Sequence, residues 1–347
     1  MAAQPPSRST PLALGDGDAR ERLLPPEQSV FQATPAGLVG RYLSCIRYRE
    51  ILVLQGSPFL GAIFAMGIVR TDRLGALLTF GAASLLLVAH IFVLNDWAGA
   101  DTDLNDPSRV AGVFATKGIS RSAIRWLWIA LLALSLALFS SLGEPPLVLA
   151  TSIAVLSFVY SRPRLPGKGV PILGSILHLG GGILHFLLGF SVFGVINGPS
   201  VRLALFFGLV FAAGHLNQEV RDFDGDVRNG IKTNAVRFGK TPTFIAGLLL
   251  FILSYAQLAL LAASAIIPGW LASLALLCPL HLYWSLKAVS DGLSFEGMRR
   301  LQARYRAIYA TIGVAMLVAV LMAPGSSAGS NLTSRRQVKP PAPGFSE

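Results

Sequence analysis

The chain has 347 residues, of which 53% are hydrophobic and only 14% charged, and its formal net charge is +11. With a mean hydropathy of +0.59, this composition excludes a disordered chain and an ordinary soluble domain and reads as a polytopic membrane protein. The basic excess is no nucleic-acid footprint, because the cations mostly lie between apolar runs. Cys45 and Cys278 have neither disulfide-framework nor zinc-site spacing.

Residues 1–36 are rich in Pro, Ser, Gly and charge and are expected to form a disordered cytoplasmic tail. They are no secretory signal, because no short apolar core and small-residue cleavage site follow the opening charges. The expected fold is all-α, a transmembrane domain over 37–323 with about nine apolar helices. Their runs lie near 51–69, 74–94, 123–142, 146–160, 170–196, 201–218, 243–264, 266–286 and 305–323, most of them close to the ~20 residues that cross the hydrocarbon core. Residues 324–347 return to Pro, Gly and Ser and are expected to be a second loose tail.

Cations concentrate after the second, fourth, sixth and eighth runs, for example Lys117, Arg121, Arg162, Arg164, Arg237, Lys240, Arg299 and Arg300. The alternate connections hold only Arg70, Arg73 and Arg202. The positive-inside rule then predicts a multi-pass protein of the cell (inner) membrane, with the N-terminus and the cation-rich loops cytoplasmic.

Eight of the 18 acidic residues fall in two windows on that side: Asp96, Asp101, Asp103 and Asp106 after the second run, and Glu219, Asp222, Asp224 and Asp226 after the sixth. Asp222 and Asp226 share one face if the sixth helix continues by a turn, and like charges at that spacing call for a neutraliser. All-oxygen ligands predict a hard cation, Mg²⁺, held through carboxylates and substrate phosphates. Arg228, Gly230, Lys232, Thr233, Arg237 and Gly239 follow as a cationic loop suited to a diphosphate. The first window supplies Asn95 and Asp96 at a helix end, Asp101 and Asp103 in a turn-prone stretch, and Arg109 behind Asn105-Asp106-Pro107. Two carboxylate groups facing each other across helices suit two metals on one diphosphate, and so the ionisation of an allylic diphosphate.

These motifs resemble those of the UbiA-type intramembrane prenyltransferases. The second is similar to the family pattern at Asp222-x-x-Gly225-Asp226-x-x-x-Gly230-x-x-Thr233, continuing through Val236-Arg237-Phe238-Gly239-Lys240. The first resembles NDxxDxxxD followed by NxPxR, matched by Asn95-Asp96 and by Asn105-x-Pro107-x-Arg109. Gly99 stands where the family has its middle aspartate, with Asp101 and Asp103 as the expected substitutes. Tyr160-Ser161-x-Pro163-x-Leu165, followed by Lys168, resembles the family's tyrosine-serine-proline loop.

The resemblance implies a helical bundle around a central cavity, and Mg²⁺-dependent transfer of a polyprenyl group from its diphosphate to an aromatic acceptor. It implies catalytic and metal-binding roles for Asp96, Asp101, Asp222 and Asp226, with Asp103 joining the metal set. Asn95, Asp103, Arg109, Tyr160, Ser161, Lys168 and Lys232 are implied as substrate-binding. The acceptor stays open among phenols, quinone precursors and hydroxyquinolines. An intramembrane terpene cyclase would keep the same clusters, whereas a transporter would not need them.

Plainer readings attach to other residues. Asp106 is expected to be a turn-former and Asp224 a solvated neighbour. Arg47 and Arg49 are expected to anchor a helix end by snorkelling. The five histidines are expected to serve mainly in inter-helix hydrogen bonding, with His178 and His185 as the best cavity-lining candidates. Gly180-Gly181-Gly182 is expected to permit close helix packing.

Overall fold

A computed structural model of the chain describes residues 35–67, 71–106, 109–162 and 167–322. The expected tails before Pro35 and after Met322 lie outside the described residues, as do Pro107, Pro163 and Leu165 of the motifs. The chain divides between Tyr42 and Leu43. The described part of the first unit is the beginning of helix α1, Pro35–Cys45.

The second unit is all-helical among the described residues. It continues with α2 (Tyr48–Leu54), α3 (Gly56–Met66), α4 (Leu74–Leu104), α5 (Arg121–Ser140), α6 (Glu144–Ser161), α7 (Leu173–Phe193) and α8 (Gly198–Arg221). The short helices α9 (Phe223–Arg228) and α10 (Asn234–Phe238) follow, then α11 (Lys240–Ala263), α12 (Cys278–Ser290) and α13 (Phe295–Leu321). Eight described segments are long and apolar enough to cross a membrane, and Glu50–Met66 is a ninth, shorter apolar segment.

The shorter segment is the first expected run, and it is interrupted at Gln55 between α2 and α3. Pro58 has no N–H with which to bond the Leu54 carbonyl, so the ladder breaks there. The eighth run begins as a 3₁₀ turn, Gly269–Leu277, and becomes α-helical only at Cys278. Pro279 is tolerated there because the first helical positions need no N–H. At the start of α8, Asn197 Oδ1 accepts from the Ser200 N–H at 2.9 Å while Ser200 Oγ accepts from the Asn197 N–H at 2.9 Å. This reciprocal cap satisfies two backbone donors at the membrane boundary.

Helix α7 packs against α3, α6 and α8, and α8 packs in turn against α11 and α13. The core between them holds Leu60, Phe64, Phe186, Phe190, Leu203, Phe206, Leu258 and Ile312. Outward apolar side chains such as Leu78, Leu134, Val155, Leu249 and Leu286 stay exposed, as a lipid-facing surface requires.

Helices α3 and α7 meet backbone to backbone, because a Cβ on Gly61 would collide with the Phe186 carbonyl and one on Gly189 with the Pro58 carbonyl. Gly182 likewise lies against the Gly208 backbone, so the expected packing role of the glycine run falls on its last member. Gly189→Ala is expected to cost about 1–3 kcal/mol by forcing the helices apart. Thermal inactivation in detergent checks this, and a variant that melts with the wild type would refute the contact.

Helix α4 decides where the site lies. At 31 residues it is about 46 Å long and outruns a ~30 Å hydrocarbon core. Its last turns carry Asn95 to Leu104 beyond the apolar stretch. The C-terminal ends of α4, α6 and α8 and the start of α7 bring the acidic and basic motifs together, as the ion pairs below show.

Candidate active site

The first acidic motif is helical to Leu104, where a turn-prone stretch is expected from sequence. At 100° per residue Asp96, Gly99 and Asp103 therefore share one face of α4, while Asp101 is turned well away from both. Asp101 is 75% exposed and pairs at 3.0 Å with Arg121, whose guanidinium also lies 5.5 Å from the Trp97 ring. The first motif's two expected substitutes are thus separated, and only Asp103 faces the second motif. A cavity of about 400 Å³ lies on the Asp101 side of α4, lined by Leu104, Phe114 and Arg121, away from the ion pairs described next.

Arg109 joins the two motifs. Its Nη1 lies 3.2 Å from Asp103 Oδ1, its Nη2 2.6 Å from Asp222 Oδ2 and its Nε 3.7 Å from Asp106 Oδ2. One planar fork thus bridges carboxylates from α4, from the turn after it and from the end of α8. Asp222 also accepts from Arg221 Nε and Nη2, at 2.7 and 3.0 Å. The third nitrogen, Arg221 Nη1, donates to Gln302 Oε1 on α13 at 2.5 Å.

Helix α8 ends at Arg221 and α9 restarts at Phe223, so the sixth run does not simply extend. The Asp226 N–H still donates to the Asp222 carbonyl at 3.0 Å, which keeps the two carboxylates one turn apart. Asp226 is buried, with Lys168 Nζ 3.6 Å away. Burial works against charge on both acids. At Asp222 it is outweighed by Arg221, Arg109 and Lys168, which hold the carboxyl below its ordinary value. At Asp226 burial, reinforced by Asp222 and Glu219, prevails over Lys168 and Arg109 and pushes the carboxyl up.

Asp96 is gripped by Arg47, with Nη2 at 2.5 Å and Nε at 3.2 Å from its two oxygens. Arg47 is therefore held by the first motif and is not a free snorkelling anchor; the Arg49 side chain lies outside the described residues. Asn95 sits half-buried beside Asp96. Tyr160 and Ser161 end α6, with Tyr160 packed on His178 and His215 and Ser161 Oγ buried without a hydrogen-bond partner. Lys232 is exposed and joins none of these ion pairs. Asp224 is exposed, as expected, with Lys240 3.6 Å away.

Three further contributors, Asp106, Glu219 and Asn234, are not among the expected site residues. Asp106 follows the end of α4 as the expected turn-former and is more than that: it is 4% exposed, pairs with Arg228 at 3.3 Å and Arg109 at 3.7 Å, and its Oδ2 fills the space a Gly225 Cβ would need. Glu219, one turn before Asp222, is buried and accepts from the Asn234 backbone N–H at 3.0 Å and its amide at 3.2 Å. Asn234 Oδ1 accepts from the Ile172 N–H at 2.6 Å. Glu219 and Asn234 thereby tie the loop after Asp226 to the start of α7 and to α8.

A model described as the UbiA prenyltransferase family matches residues 57–294, which span both acidic motifs. The chain belongs to this family. It is a multi-pass membrane prenyltransferase. A 4-hydroxybenzoate octaprenyltransferase of Sodalis glossinidius is 27% identical over 277 residues, covering 76% of this chain and 87% of that protein. One from Klebsiella pneumoniae is 29% identical over 217 residues, covering 60% and 68%. A solved UbiA homologue from Archaeoglobus fulgidus bound to GPP and Mg²⁺ has a TM-score of 0.61 at 20% identity, over 80% of this chain and 99% of that one. A digeranylgeranylglyceryl phosphate synthase structure has a TM-score of 0.63 at 19% identity, over 82% and 98%.

The separation of Asp101 from Asp103 gives a direct test. Asp103→Asn is expected to lower prenyl transfer about tenfold or more, because it weakens the Arg109 bridge. Asp101→Asn is expected to stay within about twofold, since exposed ion pairs contribute little. Initial rates of the two variants check this, and equal losses would contradict the helical register of α4.

Proposed function

We propose that the protein transfers a polyprenyl group from an allylic polyprenyl diphosphate, such as geranyl or farnesyl diphosphate, to an aromatic acceptor and releases diphosphate. The carrying observation is the Arg109 fork between Asp103 and Asp222, which supports two carboxylate groups facing one space. The donor chemistry fits Mg²⁺. Asp96, Asp103, Asp222 and Asp226, with the Asn95 amide, are hard oxygen ligands, and Mg²⁺ takes only one or two carboxylates beside substrate phosphates. When bound, Mg²⁺ supplies charge neutralisation on the departing diphosphate.

The chain's own residues hold the rest of the diphosphate. Arg109 and Lys168 are cations already placed between the carboxylates, and a guanidinium fork matches phosphate oxygens in two places. The unpartnered Ser161 Oγ offers a further donor. Asp101 and Lys232 stay outside this set by their placement. An allylic cation formed here has to be kept from water, a task for apolar surroundings rather than for the charged residues named above. The cation distribution supports an orientation with these loops and the N-terminus cytoplasmic.

The test incubates membranes containing the protein with Mg²⁺, geranyl, farnesyl and longer diphosphates, and phenolic, naphthoate and quinoline acceptors. A prenylated product that requires both metal and acceptor supports the transferase. Diphosphate release with a hydrocarbon product and no acceptor requirement would replace it with a cyclase.

A further inference from the structure

The start of α7 is held by a side chain from a distant part of the chain. Ile172 stands at the helix N-cap, where its carbonyl accepts from the Ile176 N–H at 3.0 Å and its own side chain cannot cap. Its backbone lies at φ +69° and ψ −41°, the region of the strained γ-turn and an outlier for a β-branched residue. The side chain is 56% exposed, so packing does not impose this conformation. What holds it is a hydrogen bond: the Ile172 N–H donates to Asn234 Oδ1 at 2.6 Å. The same amide donates through Nδ2 to Ser175 Oγ at 3.2 Å, inside the first turn of α7.

Asn234 is itself locked. It is buried, its N–H donates to Glu219 Oε2 at 3.0 Å and its Nδ2 to Glu219 Oε1 at 3.2 Å. A carboxylate only accepts and the Ile172 N–H only donates, so a single amide orientation satisfies both. Glu219 lies on α8 one turn before Asp222, and the Ile231 N–H donates back to the Asp226 carbonyl at 2.9 Å, which turns the chain from Asp226 towards Asn234. On the other side, Lys168 precedes Ile172 in a 3₁₀ turn, Gly167–Gly169. That turn rests on the end of α6, since a Cβ on Gly167 would meet the Val159 carbonyl at 2.9 Å. Lys168 Nζ then reaches Asp226 at 3.6 Å. The short segment that carries Lys168 is thus fixed at Gly167 by α6 and at Ile172 by Asn234.

We infer that Asn234 is a positioning residue for diphosphate binding: anchored on Glu219, it holds Ile172 in its strained conformation and so sets Lys168 beside Asp226, where the lysine meets the diphosphate. This rests on the transferase reading above and adds to it a residue that touches neither metal nor phosphate. Backbone strain of this kind persists only where the surroundings over-determine it, and at Ile172 one amide does so. Without that amide the turn relaxes towards negative φ, and an ammonium on a flexible four-carbon stem leaves its place. Asn234 bonds Ile172, Ser175 and Glu219, so its influence on the substrate passes through Lys168.

The experiment measures binding without turnover, using the full chain in lipid nanodiscs with Mg²⁺ and farnesyl thiolodiphosphate, an analogue whose sulfur slows ionisation. Lys168→Ala and Asn234→Ala are each expected to raise its Kd about tenfold, the size of one charge-assisted contact to phosphate. The double variant should bind within about twofold of either single variant, because Lys168 no longer reaches the diphosphate once Asn234 is gone. A purely structural Asn234 would instead multiply the two losses to about a hundredfold. That result, or an Asn234→Ala protein that binds as the wild type does, overturns the proposal. Ile172→Gly supplies a rescue, since glycine takes positive φ without strain: added to Asn234→Ala, it should bring the Kd back to within about threefold of the wild type. No recovery overturns the proposal as well. If Asn234→Ala does not fold, Glu219→Gln carries the same cycle, because its amide offers Asn234 one acceptor oxygen in place of two; losses that multiply with Lys168→Ala have the same meaning there. Multiplied losses in a protein whose wild type binds the analogue sink only the role of Asn234. A wild type that binds no farnesyl thiolodiphosphate with Mg²⁺ sinks the transferase reading, and this proposal with it.

Discussion

Asp226→Asn is expected to lower metal-dependent prenyl transfer by about 10²–10³-fold while leaving the fold as stable as before. The two effects separate because the buried Asp226 carboxylate has only Lys168 close by, at 3.6 Å, with Arg109 a weaker favourable charge and Asp222 and Glu219 opposing its own. Removing that charge relieves the repulsion from Asp222 and Glu219 and the burial of a carboxylate, which costs more than burial of an amide. Asp222→Asn should lose activity to a similar degree but also melt earlier, because Arg109 and Arg221 both lean on that carboxylate. Initial rates with farnesyl diphosphate and Mg²⁺, paired with thermal unfolding in detergent, distinguish the two variants. An Asp226→Asn protein that transfers at the wild-type rate would remove the second motif from the site.

Much of this arrangement is legible along the chain, and the rest fails for identifiable reasons. Apolar runs of membrane length mark the spans, because a helix is the only way such a segment satisfies its backbone in lipid. The Asp222–Asp226 spacing carries over into one turn of structure even though the helix breaks at Asp222. The first motif is misread because the end of the apolar run is taken as the end of the helix. α4 continues in polar sequence for three more turns, and once that is known the seven-residue spacing of Asp96 and Asp103 puts Asp101 on another side. Asp106 does end the helix as its turn chemistry predicts. Its burial depends on Arg228, 122 residues away, and the role of Arg47 depends on Asp96, 49 residues away. No local pattern encodes pairs at such separations; the first joins the turn after α4 to α9, and the second joins the start of α2 to α4.

Arg109→Ala is expected to have the largest effect on the metal-free protein. With the guanidinium gone, Asp103, Asp106 and Asp222 lose their shared counter-charge. Removing one partner of a buried ion pair costs about 3–5 kcal/mol, less where water reaches the group, and Arg109 is partly exposed. The melting temperature should therefore fall in the absence of metal, and adding Mg²⁺ with a diphosphate should narrow the gap, since divalent charge can replace the lost cation between the same carboxylates. On the proposed role of Arg109 in holding the diphosphate, transfer should still fall by about 10²-fold, because a two-point donor to the phosphate oxygens is lost. Arg109→Lys retains the charge but not the fork, so it is expected to restore metal-free stability more fully than activity. Melting curves with and without Mg²⁺ and diphosphate, set beside initial rates, separate the two roles. If Mg²⁺ failed to narrow the stability gap of Arg109→Ala, the carboxylates around Arg109 would not be the ones that take the metal.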